Sequence, residues 1–126
     1  MGKYVAIEDC EFAFRNVDTN PSVSGTITAT LTKASHAQIN GSSILIQQIS
    51  IAVSGYTNGS LTNGASVNPG IIKASAQYAK SDEKAWLLEG DESATITIQG
   101  QVGQSTGTTT DTVYIKKAGQ NVLKAT

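Results

Sequence analysis

A single cysteine, Cys10, excludes any intrachain disulfide. A single histidine, His36, leaves only two soft ligands in the chain, where a structural zinc wants four at characteristic spacing. Charge of one sign is equally scarce. Nine basic residues stand against ten acidic ones, for a net charge of -1 with no block of either sign. Nothing here attracts a polyanion, so nucleic acid and anionic membrane surfaces are poor partners. No apolar run approaches the roughly eighteen residues of a membrane span, so no membrane anchor is expected. The opening stretch MGKYVAIEDCEFAF has one basic residue, no uninterrupted apolar core and three acids, unlike a signal peptide. Its Met-Gly start also lacks the Ser or Thr of a myristoylation signal, because Ala6 occupies that place. The expectation is a protein made in the cytoplasm, free to be built into a larger particle afterwards.

Aromatic residues make up only 6% of the chain, while Thr, Ser, Gly, Ala, Val and Ile dominate. That mixture suits short strands joined by tight turns. A chain of 126 residues is long enough for one core. The expected fold is all-β, a single compact domain over residues 1–126 made of short antiparallel strands and hairpins, cone-like or a sandwich.

Period-two alternation is the strongest local signal. In SGTITATLTK, Gly25, Ile27, Ala29 and Leu31 share one face and four threonines the other, as in a half-buried strand. Asn40-Gly41, between apolar positions, predicts a type I′ hairpin turn. In ILIQQISIAV the apolar residues occupy even positions up to Ile46 and odd positions from Ile49 to Val53. A phase switch at Gln47-Gln48 predicts a bulge or a strand crossing between sheets. Residues 54–70 are dense in turn formers and predict an exposed double turn around a short strand. In IIKASAQYAK, Pro69 could open a helix, but alternation of Ile72, Ala74, Ala76 and Tyr78 favours a strand. Ala85–Leu88, Ala94–Gln99, TVYIKK and the tail AGQNVLKAT read as further strands, and residues 100–110 as a Gly/Ser/Thr loop. Sliding the chain on itself by 45 residues sets Ile51 over Ile96 and Gly55 over Gly100, but a composition this biased yields such matches easily, so chance is preferred to a true duplication.

Few residues suggest chemistry. Cys10 and His36 read as a small buried thiol and a turn histidine; metal binding would need three copies of His36 gathered on the axis of a trimer. Ser35 beside His36 is adjacency in sequence only, and no nucleophile elbow is present. Glu89, Asp91 and Glu92, with Asp82 and Glu83 upstream, could pair carboxylates for glycoside hydrolysis or hold calcium. Gly90 flanked by acids is also what a turn between two strands looks like, with Asp91 accepting hydrogen bonds from its own turn. That second reading is preferred. Asn40 and Asn58 stand in glycosylation sequons that serve here as turns. Trp86 reads as core or interface rather than as a sugar-stacking platform. No catalytic or cofactor-binding residue is expected.

The hairpin ASHAQINGSSIL, the phrase KAWLLEGDESATITIQG and the tail IKKAGQNVLKA together resemble the PAAR-like spike-tip proteins of contractile injection machines and phage tails. The family's apolar-Asn-Gly-x-x-apolar phrase corresponds to residues 39–44, and its apolar-apolar-x-Gly-Asp phrase to residues 87–91, with Asn40, Gly41, Gly90 and Asp91 as structural turns. The resemblance implies a β domain that caps a trimeric spike and has no catalysis of its own. The histidines of the metal-bound branch and the Pro-Ala-Ala-Arg phrase are missing, so the point would be held by packing and hairpin hydrogen bonds. Two other readings stand beside it: a β-sandwich binding or decoration module on a capsid or adhesin, and a small hydrolase using Glu89, Asp91 and Glu92.

Overall fold

A computed structural model describes residues 2–126. It contains fourteen strands: β1 (Lys3–Tyr4), β2 (Glu11–Phe14), β3 (Ser24–Thr30), β4 (Lys33–Ile39), β5 (Ser42–Leu45), β6 (Gln48–Thr57), β7 (Thr62–Ser66), β8 (Gly70–Lys73), β9 (Lys80–Ser81), β10 (Lys84–Ala85), β11 (Ile96–Val102), β12 (Ser105–Asp111), β13 (Val113–Lys117) and β14 (Lys124–Ala125). All the pairings are antiparallel, so the fold is all-β. The one helical element among the described residues is a single 3-10 turn, Arg15–Asp18. Among the described residues no helix is long and apolar enough to cross a membrane.

Three short apolar triads organise the chain: Val5-Ala6-Ile7, Ile44-Leu45-Ile46 and Trp86-Leu87-Leu88. Each triad is succeeded by a turn and an outgoing strand (β2, β6 or β11), then by a return path and a hairpin leading to the next triad. The outgoing strand of each unit pairs with the return path of the one before it. Thus β6 pairs with β3, β11 with β7, and β2 with β13. The circle closes because the third hairpin is made from opposite ends of the sequence, β14 against β1. The largest sheet, in the order β12-β11-β7-β6-β3 with β8 also on β6, is one stretch of this circle.

Side chains of an extended triad alternate between faces, which divides the interior in two. The middle residues Ala6, Leu45 and Leu87 are fully buried in the larger core with Ile49, Ile51, Tyr56, Ile72, Ile98 and Ile115. The flanking Val5, Ile7, Ile44, Ile46 and Leu88 form the smaller core on the opposite side, with Trp86 packed against it. The phase switch at Gln47, which has φ 66°, is the point where the chain leaves its triad and enters β6.

Three expectations need correction. The strand expected through Tyr78 stops at Lys73. Beyond it the backbone amides of Ala74, Ala76 and Gln77 donate to Gln47, Trp86 and Thr126, three separate segments, so no ladder can continue. Alternation fails with it, because Tyr78 is 82% exposed. Residues 100–110 are not a loop but the end of β11 and most of β12, joined at Gly103 with φ 63°. This hairpin runs beyond the core with most side chains exposed, so it has strand-forming threonines but no apolar face to betray it. The preference for chance over a repeat is the third: three units are present, with 39 residues from Ala6 to Leu45 and 42 from Leu45 to Leu87.

Leu87 has no exposed surface and sits where the three units meet. Leu87→Ala should lower unfolding stability by about 2–5 kcal/mol, the usual cost of a large-to-small change in a close-packed core. Denaturant titration checks this, with Val122→Ala, at an exposed site, as the neutral reference.

Candidate functional site: a three-way strand junction

The triads meet in a closed ring of backbone hydrogen bonds. Leu45 N–H donates to Ala6 O at 3.0 Å, Ala6 N–H to Leu87 O at 2.8 Å, and Leu87 N–H to Leu45 O at 3.0 Å. A second ring surrounds it, in which the residue after each triad donates to the residue before the next. Glu8 N–H reaches Ser43 O at 3.0 Å, Gln47 N–H reaches Ala85 O at 2.9 Å, and Glu89 N–H reaches Tyr4 O at 2.8 Å. The flanking bridges Ile7 to Ile44, Ile46 to Trp86 and Leu88 to Val5 keep the same cycle. One polypeptide therefore builds a junction with pseudo-three-fold symmetry.

Three hairpins lead into it. The first, β4–β5, turns at Asn40 (φ 52°) and Gly41 (φ 85°), and the second, β9–β10, at Asp82 (φ 53°) and Glu83 (φ 65°). The third, β14–β1, has strands from the two ends of the sequence. Ala79 O accepts from Trp86 N–H and Leu123 O accepts from Val5 N–H, the first residues of their triads. The residues just before these acceptors, Tyr78 and Val122, are therefore equivalent, and they are 82% and 74% exposed. His36 is exposed on β4 of the remaining hairpin.

The acids of residues 89–92 are brought to separate partners. Gly90, at φ 95°, makes the turn that carries Asp91 N–H back to Leu88 O at 3.0 Å. The Asp91 carboxylate is buried, accepting from Leu88 N–H at 2.9 Å and from the Ser75 hydroxyl. Glu89 accepts from Ala118 N–H at 2.9 Å. Glu92 takes Arg15 Nη2 at 2.8 Å and Nε at 3.3 Å, together with the Thr112 hydroxyl. The Arg15 guanidinium holds Glu92 below its ordinary carboxyl value, the opposite of what a general acid requires.

The other singled-out side chains are likewise occupied or isolated. Cys10 is half-buried against the larger core, and burial pushes its thiol up to about 12, which keeps it protonated and unreactive near neutrality. No group of three or more His, Cys, Asp or Glu able to hold a metal occurs among the described residues, so Cys10 and His36 are not drawn into one. Ser35 gives its N–H and its hydroxyl to Asp82 at 3.1 and 2.9 Å, tying the second hairpin to the first. Trp86 is half-buried, and its indole N–H donates to Ser81 Oγ at 2.8 Å.

Sequence reasoning missed one polar pair. Tyr56 is fully buried on β6 and donates its hydroxyl to Asp111 Oδ2 at 2.7 Å. Asp111, also buried, accepts at Oδ1 from Asn16 N–H at 3.0 Å and Thr112 N–H at 2.7 Å. Phe14 meets the Tyr56 ring edge-on, with centroids 5.0 Å apart. The only trace in sequence is a tyrosine inside the turn-rich SGYTNG, which reads as an exposed turn residue.

Removing the Tyr56 hydroxyl leaves a buried carboxylate short of a donor. Tyr56→Phe should therefore cost about 1–3 kcal/mol of stability by denaturant titration. Acid acts on a different set. Glu8, held by Lys33 Nζ at 2.8 Å and Ser43 N–H at 3.2 Å, Asp82, held by Ser35, and Glu92, held by Arg15, all lie below their ordinary values of 4.5, 3.8 and 4.5. Carboxyls depressed by folding contribute stability that is present above the unfolded values and lost as pH falls through the folded ones. The melting temperature should thus fall progressively below about pH 5. A Glu8→Gln, Asp82→Asn, Glu92→Gln triple variant should melt lower at neutral pH and show a flatter acid dependence. Comparison with protein-family models, with curated proteins and with solved structures finds no match to this chain.

Proposed function

We propose that this chain is a non-catalytic structural cap, the tip of a trimeric spike in a phage tail or tail-like injection particle. The observation that carries the reading is the closed pseudo-three-fold junction. Three identical subunits around an axis end in three identical strand edges, and one chain can complete all three only if it repeats its own strand geometry three times. The three units here do so in sequence, with backbone groups in cyclic register. Such a contact works by strand addition and packing, and needs neither metal nor catalytic group.

Rigidity fits the same role. Both cores are packed around the junction, and no buried side-chain nitrogen or oxygen lacks a hydrogen-bond partner among the described residues. The equivalent exposed residues Tyr78 and Val122, each just before the first strand of its hairpin, give a spike apolar contacts at repeated positions. Partners in this reading are the spike trimer or neighbouring particle subunits, and the place of action is the assembled particle.

Mixed with its cognate spike, the protein should elute as one copy per trimer by size exclusion with light scattering. Tyr78→Asp with Val122→Asp should weaken that complex by about tenfold or more while leaving the melting temperature within a few degrees. Independent elution at every salt concentration would overturn the proposal.

A further inference from the structure

The turns just after the first and third triads close the same backbone hydrogen bond but differ in conformation, since Gly90 has φ 95° and Asp9 is not in the positive-φ region. After Val5-Ala6-Ile7 comes Glu8-Asp9, with Cys10 N–H returning to Ile7 O; after Trp86-Leu87-Leu88 comes Glu89-Gly90, with Asp91 N–H returning to Leu88 O. Glu8 N–H donates to Ser43 of the neighbouring hairpin, and Glu89 N–H to Tyr4 of its own neighbour. Asp9 therefore corresponds to Gly90, and Ser42 to Lys3. In the first turn the chain supplies its own anion: the Asp9 carboxylate accepts from Ser42 Oγ at 2.7 Å. In the third that carboxylate is missing. A Cβ placed on Gly90 would meet nothing within 4 Å except Lys3 Nζ, at 3.9 Å.

Around this gap lies an open groove of about 520 Å³ whose walls include Lys3, Arg15, Lys116 and Lys124, with Tyr4 and Tyr114. Among the described residues Lys3, Lys116 and Lys124 have no carboxylate within ion-pair distance, while Arg15 is paired to Glu92 and Asp18. Glu89 is the one acid lining the groove, and its Oε2 is engaged by Ala118 N–H. In a chain of net charge -1 this is a local concentration of positive charge. The tyrosine faces are already covered, by Arg15 Cζ at 3.8 Å from the Tyr114 centroid and Lys124 Nζ at 4.7 Å from that of Tyr4. A base or sugar would have to displace these cations before stacking, whereas a carboxylate needs no aromatic face.

We propose that this groove binds an acidic segment of a partner protein, with one Glu or Asp carboxylate entering beside Gly90 to meet Lys3. The inference is independent of the spike-tip reading, since any partner with an acidic strand or tail could make the contact. Charge complementarity of this kind is salt-sensitive and depends on the cations more than on area.

The test uses the 126-residue protein, 15N-labelled, titrated with hexaglutamate, and with hexaglutamine, inorganic phosphate and a single-stranded oligonucleotide as comparisons. Saturable shifts at the Gly90, Tyr114 and Lys116 amides are expected with hexaglutamate and not with hexaglutamine, weakening by about tenfold between roughly 20 and 300 mM salt. Lys3→Gln, Lys116→Gln, Lys124→Gln, all surface changes, should weaken binding by about tenfold or more with an unchanged fold. The proposal is overturned by no saturable shift, by unchanged binding in the triple variant, or by phosphate or oligonucleotide binding the same residues more tightly than the peptide.

Discussion

Three amide hydrogen bonds, passed from Leu45 to Ala6, from Ala6 to Leu87 and from Leu87 back to Leu45, are the constraint on which the rest of the molecule depends. All three residues are completely buried, so none of these groups can turn to water if a neighbour withdraws. Each strand is held by one partner and holds the other, which makes the ring cooperative by geometry. The triads are apolar at every position because both faces of the junction are buried, one against each core. The chain must leave the ring sharply after each triad, and at two of the three exits Gln47 and Gly90 turn it with positive φ. The polar side chains near the junction are then explained as closures. Glu8 and Glu89 accept backbone amides at the rim, and Asp91 folds back on its own turn.

The carboxylates divide by environment into two classes with different consequences. Asp91 and Asp111 are buried acceptors whose partners are chiefly backbone amides and hydroxyls, so they fix local geometry inside the fold. Glu8, Asp82 and Glu92 are more exposed and tie separate segments together, the first turn to β4, the second hairpin to β4, and the third unit to Arg15. Screening limits what an exposed pair contributes, so the junction itself does not rely on them. They act outside the backbone rings, on the turns and hairpins around the junction.

Much of this was legible in the sequence where a segment has one wet face and one dry face. SGTITATLTK and ILIQQISIAV show their strands and the phase change, because alternation reports half-burial. Residues 105–110 were not legible, since STGTTT contains no apolar residue whose alternation could report a buried face. Residues 74–79 misled for the reverse reason: small residues happen to alternate while the backbone bonds to three different places. The repeat was partly visible. A gapless slide needs equal turns, but the turn after Leu88 is longer than the one after Ile46, and the slide by 45 catches β11 on β6 while missing Leu87 on Leu45. The third copy escapes any linear slide, because its hairpin joins opposite ends of the sequence. The triads VAI, ILI and WLL were the signal to find, each a short apolar run with Glu or Gln immediately after it, in a chain with few such runs. The Tyr56 to Asp111 pair left no signal of this kind, because a separation of 55 residues is set only by the closed circle.

The places where the three units differ carry as much meaning as the places where they agree. The backbone rings repeat closely, and a partner that contacts only them would meet three near-equal edges. The side chains at the ring exits do not repeat. One exit is closed by Asp9 and Ser42, one is shortened to Gln47 alone, and one is left open by Gly90 among lysines. A homotrimer could not vary its exits in this way, since one gene would change all three together. Folding three units into one chain keeps the symmetry where strands are shared and releases it at the exits, where the side chains differ. The acidic stretch just after Trp86 thus contributes to both. Its carboxylates secure the repeated frame, and its glycine leaves one of the unlike exits open.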